Sequence, residues 1–178
     1  MGFNLLKHAI HEHQKTSCSD ILNQVNLELS EVLNQKLNES SVRDGMDLAL
    51  CCLHKDTLEL EYSGANNSIY VASNNQLTEY KANKQPIGAY VHEELKPFTS
   101  HKIKVNKGDI VYLFTDGYAD QFGGPKHKKF KYKQFEETIQ SILKQPLAKQ
   151  KTLLNTQFNE WRGEVDQLDD VLVMGIKI

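Results

Sequence analysis

Apolar residues recur every three to four positions from Phe3 to Leu33, every second position from Met46 onward, and at helical spacing again beyond position 132. The first period predicts a helix over about 3–14. A second helix, opened by Ser17 or Ser19, is carried by Ile21, Leu22, Val25, Leu29, Val32 and Leu33. The two would form an antiparallel helical hairpin or a bent layer. The polar stretch LNESSVRDG follows and ends in Asp44-Gly45, a turn signal.

In the alternating region, MDLALCCLH, LELEYSG and SIYVAS read as strands separated by the short breaks KDT and ANN, which predicts an antiparallel meander. A weaker strand, QLTEY, comes after an Asn-Asn turn, and Pro86-Ile87-Gly88 marks a loop. HKIKV and IVYLFT, joined across KGD, read as a hairpin whose second, wholly apolar strand is central in its sheet. After the basic loop KHKKFKYK come helices at roughly 132–144 and 147–161. The second carries Leu147, Leu154, Phe158 and Trp161 on one face, with Pro146 at its start and Gly163 at its end. DDVLVMGIKI closes the chain as a strand. Helices segregated from antiparallel strands predict an α+β layered fold and not a βαβ series.

Composition narrows this picture without redirecting it. With 178 residues, 39% of them apolar and 25% charged, the chain suits one globular domain, 1–178. A formal net charge of -2 gives no global attraction to nucleic acid or to an anionic membrane. The longest apolar runs fall far short of the roughly 18 residues that span a bilayer, and charged and His residues interrupt the N-terminal stretch before a secretory core can form. Met1-Gly2 does not make a myristoylation signal, because position 6 is Leu6. The three cysteines are odd in number, and Cys51 and Cys52 point to opposite faces of one strand. Reduced thiols in a cytosolic protein account for them better than a disulfide framework.

Two acidic strand ends carry the candidate chemistry. In YLFTDGYADQFGG, a buried strand ends in Thr115-Asp116-Gly117, and a loop with Asp120 follows. An acid there is held rigidly, and Gly117 lets the backbone approach a ligand closely; a plain Asp-Gly turn is the alternative. In EVDQLDDVLVMGIKI, Asp166, Asp169 and Asp170 crowd in front of the last strand. Adjacent carboxylates need water or a hard divalent cation between them, and a solvated linker is again the alternative. With neither Cys nor His at matching spacing, the pair suits a Mg- or Mn-type oxygen site.

DGMDLAL, LEYSGANNSIYV, PIG, GDIVYLFTDGYADQFGG and DDVLVMGIKI, in that order, resemble the stage II sporulation protein E group of the protein phosphatase 2C-like superfamily over essentially the whole chain. The resemblance implies a sandwich of two antiparallel sheets flanked by helices. Between the sheets it implies two Mn2+ or Mg2+ ions that serve the hydrolysis of phosphoserine or phosphothreonine. Asp116 and Asp169 match metal-binding acids of the family, Gly117 accompanies Asp116, and Asp170 matches a second position of the acidic pair. Leu172 stands where relatives often have Thr, on the apolar side of the strand. The family also places an Asp-x-x-Gly-His-Gly motif, whose Asp bridges both metals, just before the first helix, and this sequence lacks it. The chain therefore resembles the C-terminal portion of such a domain, incomplete on its N-terminal side. Little or no hydrolysis is expected from it alone.

The resemblance further implies a phosphoprotein substrate, an upstream sensor domain in a bacterial signalling chain, and a cytoplasmic location without membrane contact by this segment. The alternative function is a non-catalytic phosphatase-like interaction module. Missing strands would leave a sheet edge open to self-association. Lys126, Lys128 and Lys129 lie in a basic aromatic loop that reads as a solvated connection, a phosphoprotein-binding flap or a nucleic-acid grip, the last opposed by the net charge. The resemblance also offers Asp47 and Asp120 as supporting acids for the metal cleft, against the plainer reading of turn residues and, for Asp47, an outward-facing strand acid. His8 with His11, or His8 with Glu12, has the spacing of a helical zinc pair, although dipole-friendly, solvated side chains at a helix C-terminus more often account for such histidines.

Overall fold

In the computed structural model these patterns become helices α1 (Gly2–His11), α2 (Cys18–Lys36), α3 (Gly117–Asp120), α4 (Tyr132–Ile142) and α5 (Leu147–Arg162). The strands are β1 (Leu48–His54), β2 (Glu59–Ala65), β3 (Ile69–Ser73), β4 (Gln76–Tyr80), β5 (His101–Lys104), β6 (Ile110–Phe114), β7 (Phe122–Gly123), β8 (Lys128–Lys129) and β9 (Val173–Lys177). The structure describes residues 2–36, 45–88 and 96–178; Asp44 and most of the turn expected there lie outside them. No described helix is long and apolar enough to cross a membrane. The chain divides into two compact units, one running to Ser68 and from Lys81 to Val105, the other covering Ile69–Tyr80 and Asn106–Ile178.

In the first unit β1, β2 and β5 pair antiparallel in that order. Helix α2 packs its apolar face, Ile21, Leu22, Val25 and Leu29, with Ala9 of α1, Ala65 of β2, and Ile87 and Phe98. The amides of its first turn, which lack partners within the helix, all find them elsewhere. The Ser17 hydroxyl accepts from the Asp20 N–H at 3.1 Å, the buried Glu61 carboxylate from Cys18 at 3.0 Å, and the Ser100 hydroxyl from Ser19 at 2.9 Å. Asn23 and Asn26 accept the N–H groups of Phe98 and Gly88, so α2 also holds both ends of the 88–98 connection. All three cysteines are free. Burial pushes the Cys18 and Cys51 thiols up to about 12, which leaves them protonated and poorly nucleophilic at neutral pH.

The second unit is a sheet of order β4-β3-β6-β9, antiparallel throughout, with α4 and α5 on one face. Tyr70, Ala72, Tyr112 and Phe114 point into an aromatic core with Tyr118, Phe130, Phe135 and Phe158. Tyr118 stands 4.7 Å from Phe135, 5.1 Å from Phe158 and 5.2 Å from Phe130, ring centroid to centroid. The buried Tyr112 hydroxyl donates to Gln150 of α5 at 2.6 Å, and the Gln150 amide donates to the Gln145 carbonyl at 2.8 Å. Burial, only partly offset by that bond to Gln150, raises the Tyr112 pKa.

Three expectations change. HKIKV and IVYLFT do not form a hairpin: β5 pairs with β2 and β6 with β3 and β9, in different sheets. The meander likewise breaks between β2 and β3, where Asn66 adopts a left-handed φ of 57°. Alternation specifies a strand, whereas the choice of sheet is set by pairing between residues distant in sequence. The basic loop is partly ordered, since its Lys128-Lys129 pairs with Phe122-Gly123 as a two-stranded ribbon. As expected, β6 is central.

Candidate metal centre

The two acidic segments meet because β6 and β9 pair, bringing Phe114 opposite Val173. Past this point the ladder continues through one side chain. The Thr115 N–H donates to the Leu172 carbonyl at 3.1 Å. Its hydroxyl accepts from the Leu172 N–H at 2.9 Å and donates to the Asp170 carbonyl at 2.7 Å. On the other side of Asp116, a Cβ at Gly117 would stand 2.5 Å from that same Asp170 oxygen, so only glycine fits without moving the backbone. Asp116 is thus flanked by two residues that both press against Asp170.

Asp116 begins the short helix α3, accepting the Asp120 N–H on its carbonyl at 2.9 Å, and its carboxylate does not cap the helix. It is half-buried, whereas Asp169 and Asp170 are exposed. One Asp169 oxygen accepts the Asp170 N–H at 2.7 Å, and the Asp169 carbonyl accepts from the Gln167 amide at 2.7 Å. Segments 115–120 and 166–172 contain neither His nor Cys. Their donors are carboxylate and carbonyl oxygens, a set that fits a hard divalent cation and not a thiophilic one. Asp116 and Asp169 would supply its anionic oxygens. Among the described residues, no third acid, His or Cys joins them in a converging group; His8, His13 and Glu28 form the one such trio.

Gln121, which sequence inspection passes over, holds the second segment in place. Its side chain is fully buried; the amide donates to the carbonyls of Asp166 at 2.9 Å and Phe122 at 3.0 Å, and its oxygen accepts from the Leu168 N–H at 3.4 Å. Its backbone carbonyl accepts the Trp161 indole N–H at 3.1 Å. Directly beyond, Gly123 leaves room for the Trp161 carbonyl, which would lie 1.9 Å from a Cβ. A polar residue between Asp120 and Phe122 looks like any loop residue. Only its burial singles it out.

Asp120 pairs with Lys129 at 2.8 Å across the β7–β8 ribbon, and Lys126 and Lys128 are exposed on the same ribbon. Asp47, in the other unit, is exposed and accepts the Asn66 side-chain amide at 2.9 Å. Leu172 is 50% exposed, and its backbone engages Thr115. A groove of about 540 Å3 between α5 and β9 has Leu147, Leu154, Phe158 and Leu172 among its lining residues. It contains no acidic side chain, so the groove and the carboxylates are separate features.

A family model described as stage II sporulation protein E (SpoIIE) matches residues 2–178. No curated protein matches the chain. The SiaA-PP2C domain of Pseudomonas aeruginosa superposes with a TM-score of 0.85 at 23% identity, over 98% of this chain and 66% of that one. A structure of the PP2C phosphatase domain with a fragment of the regulatory domain of SpoIIE from Bacillus subtilis gives 0.70 at 16% identity, over 99% and 48%. The catalytic domain of the serine threonine protein phosphatase PstP, in complex with 2 manganese ions, gives 0.58 at 13% identity, over 90% and 75%. The chain thus spans about two thirds of the first of these domains and about half of the second. These likenesses show a PP2C-like α+β fold.

Replacing Thr115 by Val removes the partners of the Leu172 N–H and the Asp170 carbonyl. It is expected to cost about 1–3 kcal/mol of folding stability and to accelerate hydrogen exchange at the Leu172 amide while leaving the β3–β6 amides protected. Unchanged exchange at Leu172 would show that the threonine does not hold the two segments together.

Proposed function

The chain belongs to the stage II sporulation protein E family, and from that membership we propose that it is the metal-binding portion of a protein serine/threonine phosphatase acting on a phosphoprotein. The observation that carries this reading is the contact of Thr115 and Gly117 with the Asp170 backbone, which sets Asp116 beside the Asp169-Asp170 pair.

Asp116 and Asp169 provide the anionic oxygens, and Asp170 provides a second carboxylate at the same strand end. Mn2+ or Mg2+ held by these acids would supply charge neutralisation for a phosphate and lower the pKa of a water. Gln121 and Thr115 hold the backbone of the 166–172 segment against the stretch that carries Asp116. Lys126 and Lys128 offer positive charge to an anionic phosphoprotein, whereas Lys129 is already engaged by Asp120. Asp47 acts through its bond to Asn66, in support of the loop that bears it. An upstream sensor domain in a bacterial signalling chain and a cytoplasmic setting complete the proposal.

Because Asp116, Asp169 and Asp170 do not form a converging group of three ligand atoms among the described residues, metal binding by this chain is weak, and the chain alone does not turn over substrate. The same observation supports the second reading, a phosphatase-like module that works by protein contact. Calorimetric titration with Mn2+ is expected to show weak binding that Asp116→Asn or Asp169→Asn lowers about tenfold or more. It should be accompanied by no hydrolysis of p-nitrophenyl phosphate above background. Binding indifferent to both substitutions overturns the metal assignment, and measurable Mn2+-dependent hydrolysis overturns the inactivity.

Self-association draws support from β9. Among the described strands it pairs only with β6, and it exposes Met174 at 46% and Ile176 at 44%. A strand edge of that kind recruits another strand. Sedimentation velocity is expected to show dimers or larger species that Ile176→Lys shifts toward monomer. A wild-type chain that stays monomeric at high concentration contradicts this.

A further inference from the structure

A second cluster of ligand-type side chains lies in the other unit, where α1 ends against α2. His8 is in the last turn of α1, His13 just past its end, and Glu28 in the middle of α2. The His8 Nδ1 lies 3.0 Å from both Glu28 oxygens, and the His13 Nε2 lies 3.3 Å from Glu28 Oε1. One nitrogen from each histidine and one glutamate oxygen all fall within 4.8 Å of one another. Around a tetrahedral zinc with bonds of about 2.0 Å, adjacent ligand atoms sit about 3.3 Å apart. The two nitrogen-to-carboxylate separations are already close to that value.

The surroundings are built as ligand surroundings are. The far nitrogen of His8, Nε2, faces Glu12 Oε2 at 3.0 Å, the carboxylate–histidine arrangement that fixes the tautomer and orientation of a metal-bound imidazole. Glu28 is oriented by Gln24, whose amide donates to Oε1 at 2.8 Å. The turn carrying His13 is tied to α1 by the N–H groups of Glu12 and His13, which both donate to the His8 carbonyl. Ala9, Ile21, Leu22 and Val25 fix α1 on α2 beneath the cluster. Glu28 is 16% exposed and each histidine 41%, so the trio is ordered by packing yet reachable from solvent.

We propose that His8 through Nδ1, His13 through Nε2 and Glu28 form a site for a zinc-class divalent cation, Zn2+ or Co2+, with Glu12 as the residue that orients His8. Two imidazoles and one carboxylate make a borderline-soft donor set, distinct from the all-oxygen set at Asp116 and Asp169. Three protein ligands leave a fourth position for water. Because the ligands come from both sides of the α1–α2 connection, the bound ion clips the two helices together and stabilises the fold by mass action.

The test is a Co2+ titration of the full chain followed by visible absorption, since tetrahedral Co2+ gives an intense d–d band that hexaaquo Co2+ lacks. One Co2+ per chain is expected, displaced stoichiometrically by Zn2+ and retained in an Asp116→Asn, Asp169→Asn double variant. His13→Ala and Glu28→Gln should each abolish the band. Glu12→Gln should keep it while weakening affinity about tenfold. The three substituted side chains are at least partly exposed, and circular dichroism confirms that each variant remains folded. No d–d band with the wild-type chain, a band indifferent to His13→Ala and Glu28→Gln, or a band lost in the Asp116/Asp169 variant would each overturn the proposal.

Discussion

The Thr115 hydroxyl makes the contact on which the candidate centre depends. Strand β6 ends at Phe114, and without a further bond the 169–172 segment would be free to leave it. The hydroxyl accepts one N–H and donates to one carbonyl of that segment, standing in for the next rung of the ladder. Each such bond contributes about 0.5–1.5 kcal/mol net, a modest sum for stability but enough to decide where a short exposed segment rests. Gly117 completes the constraint by permitting α3 to begin in van der Waals contact with Asp170. The backbones on either side of Asp116 are thereby held against the segment that carries Asp169 and Asp170.

Rigidity behind this contact comes from the aromatic core and from Gln121. Tyr118 of α3 is wedged among Phe130, Phe135 and Phe158 and donates its hydroxyl to the Leu154 carbonyl at 2.9 Å, so the helix that follows Asp116 cannot rotate. Gln121 then spends its side-chain amide on the loop that leads into Asp169. One short stretch, 115–124, therefore reaches the second acidic segment three times, through Thr115, Gly117 and Gln121. The acids are placed from behind by buried groups and present themselves to solvent in front.

Much of this was legible in the sequence and some of it was not, for identifiable reasons. Helix and strand positions follow the apolar period closely, because each element buries one face. Asp116 and Asp169 stood out as acids at apolar strand ends, where a charge needs a purpose. The division of β5 and β6 between two sheets was not legible, since KGD suits a hairpin turn as well as a crossover. Thr115 and Gln121 were also hidden: a threonine after an apolar strand and a glutamine in a loop are unremarkable until their partners, 55 and 45 residues away, are known. His8 has a local signal only in its neighbours His11 and Glu12. Its partners include Glu28, which lies 20 residues on and carries no local signal.

The central claim is that Asp116 and Asp169 act as one hard-metal centre, and site-resolved Mn2+ broadening of backbone amide resonances tests it most directly. Sub-stoichiometric Mn2+ is expected to broaden selectively the amides of 115–117 and 169–171, with both segments responding together along the titration. Broadening confined to one of the two segments, or absent from both at millimolar Mn2+, would contradict it.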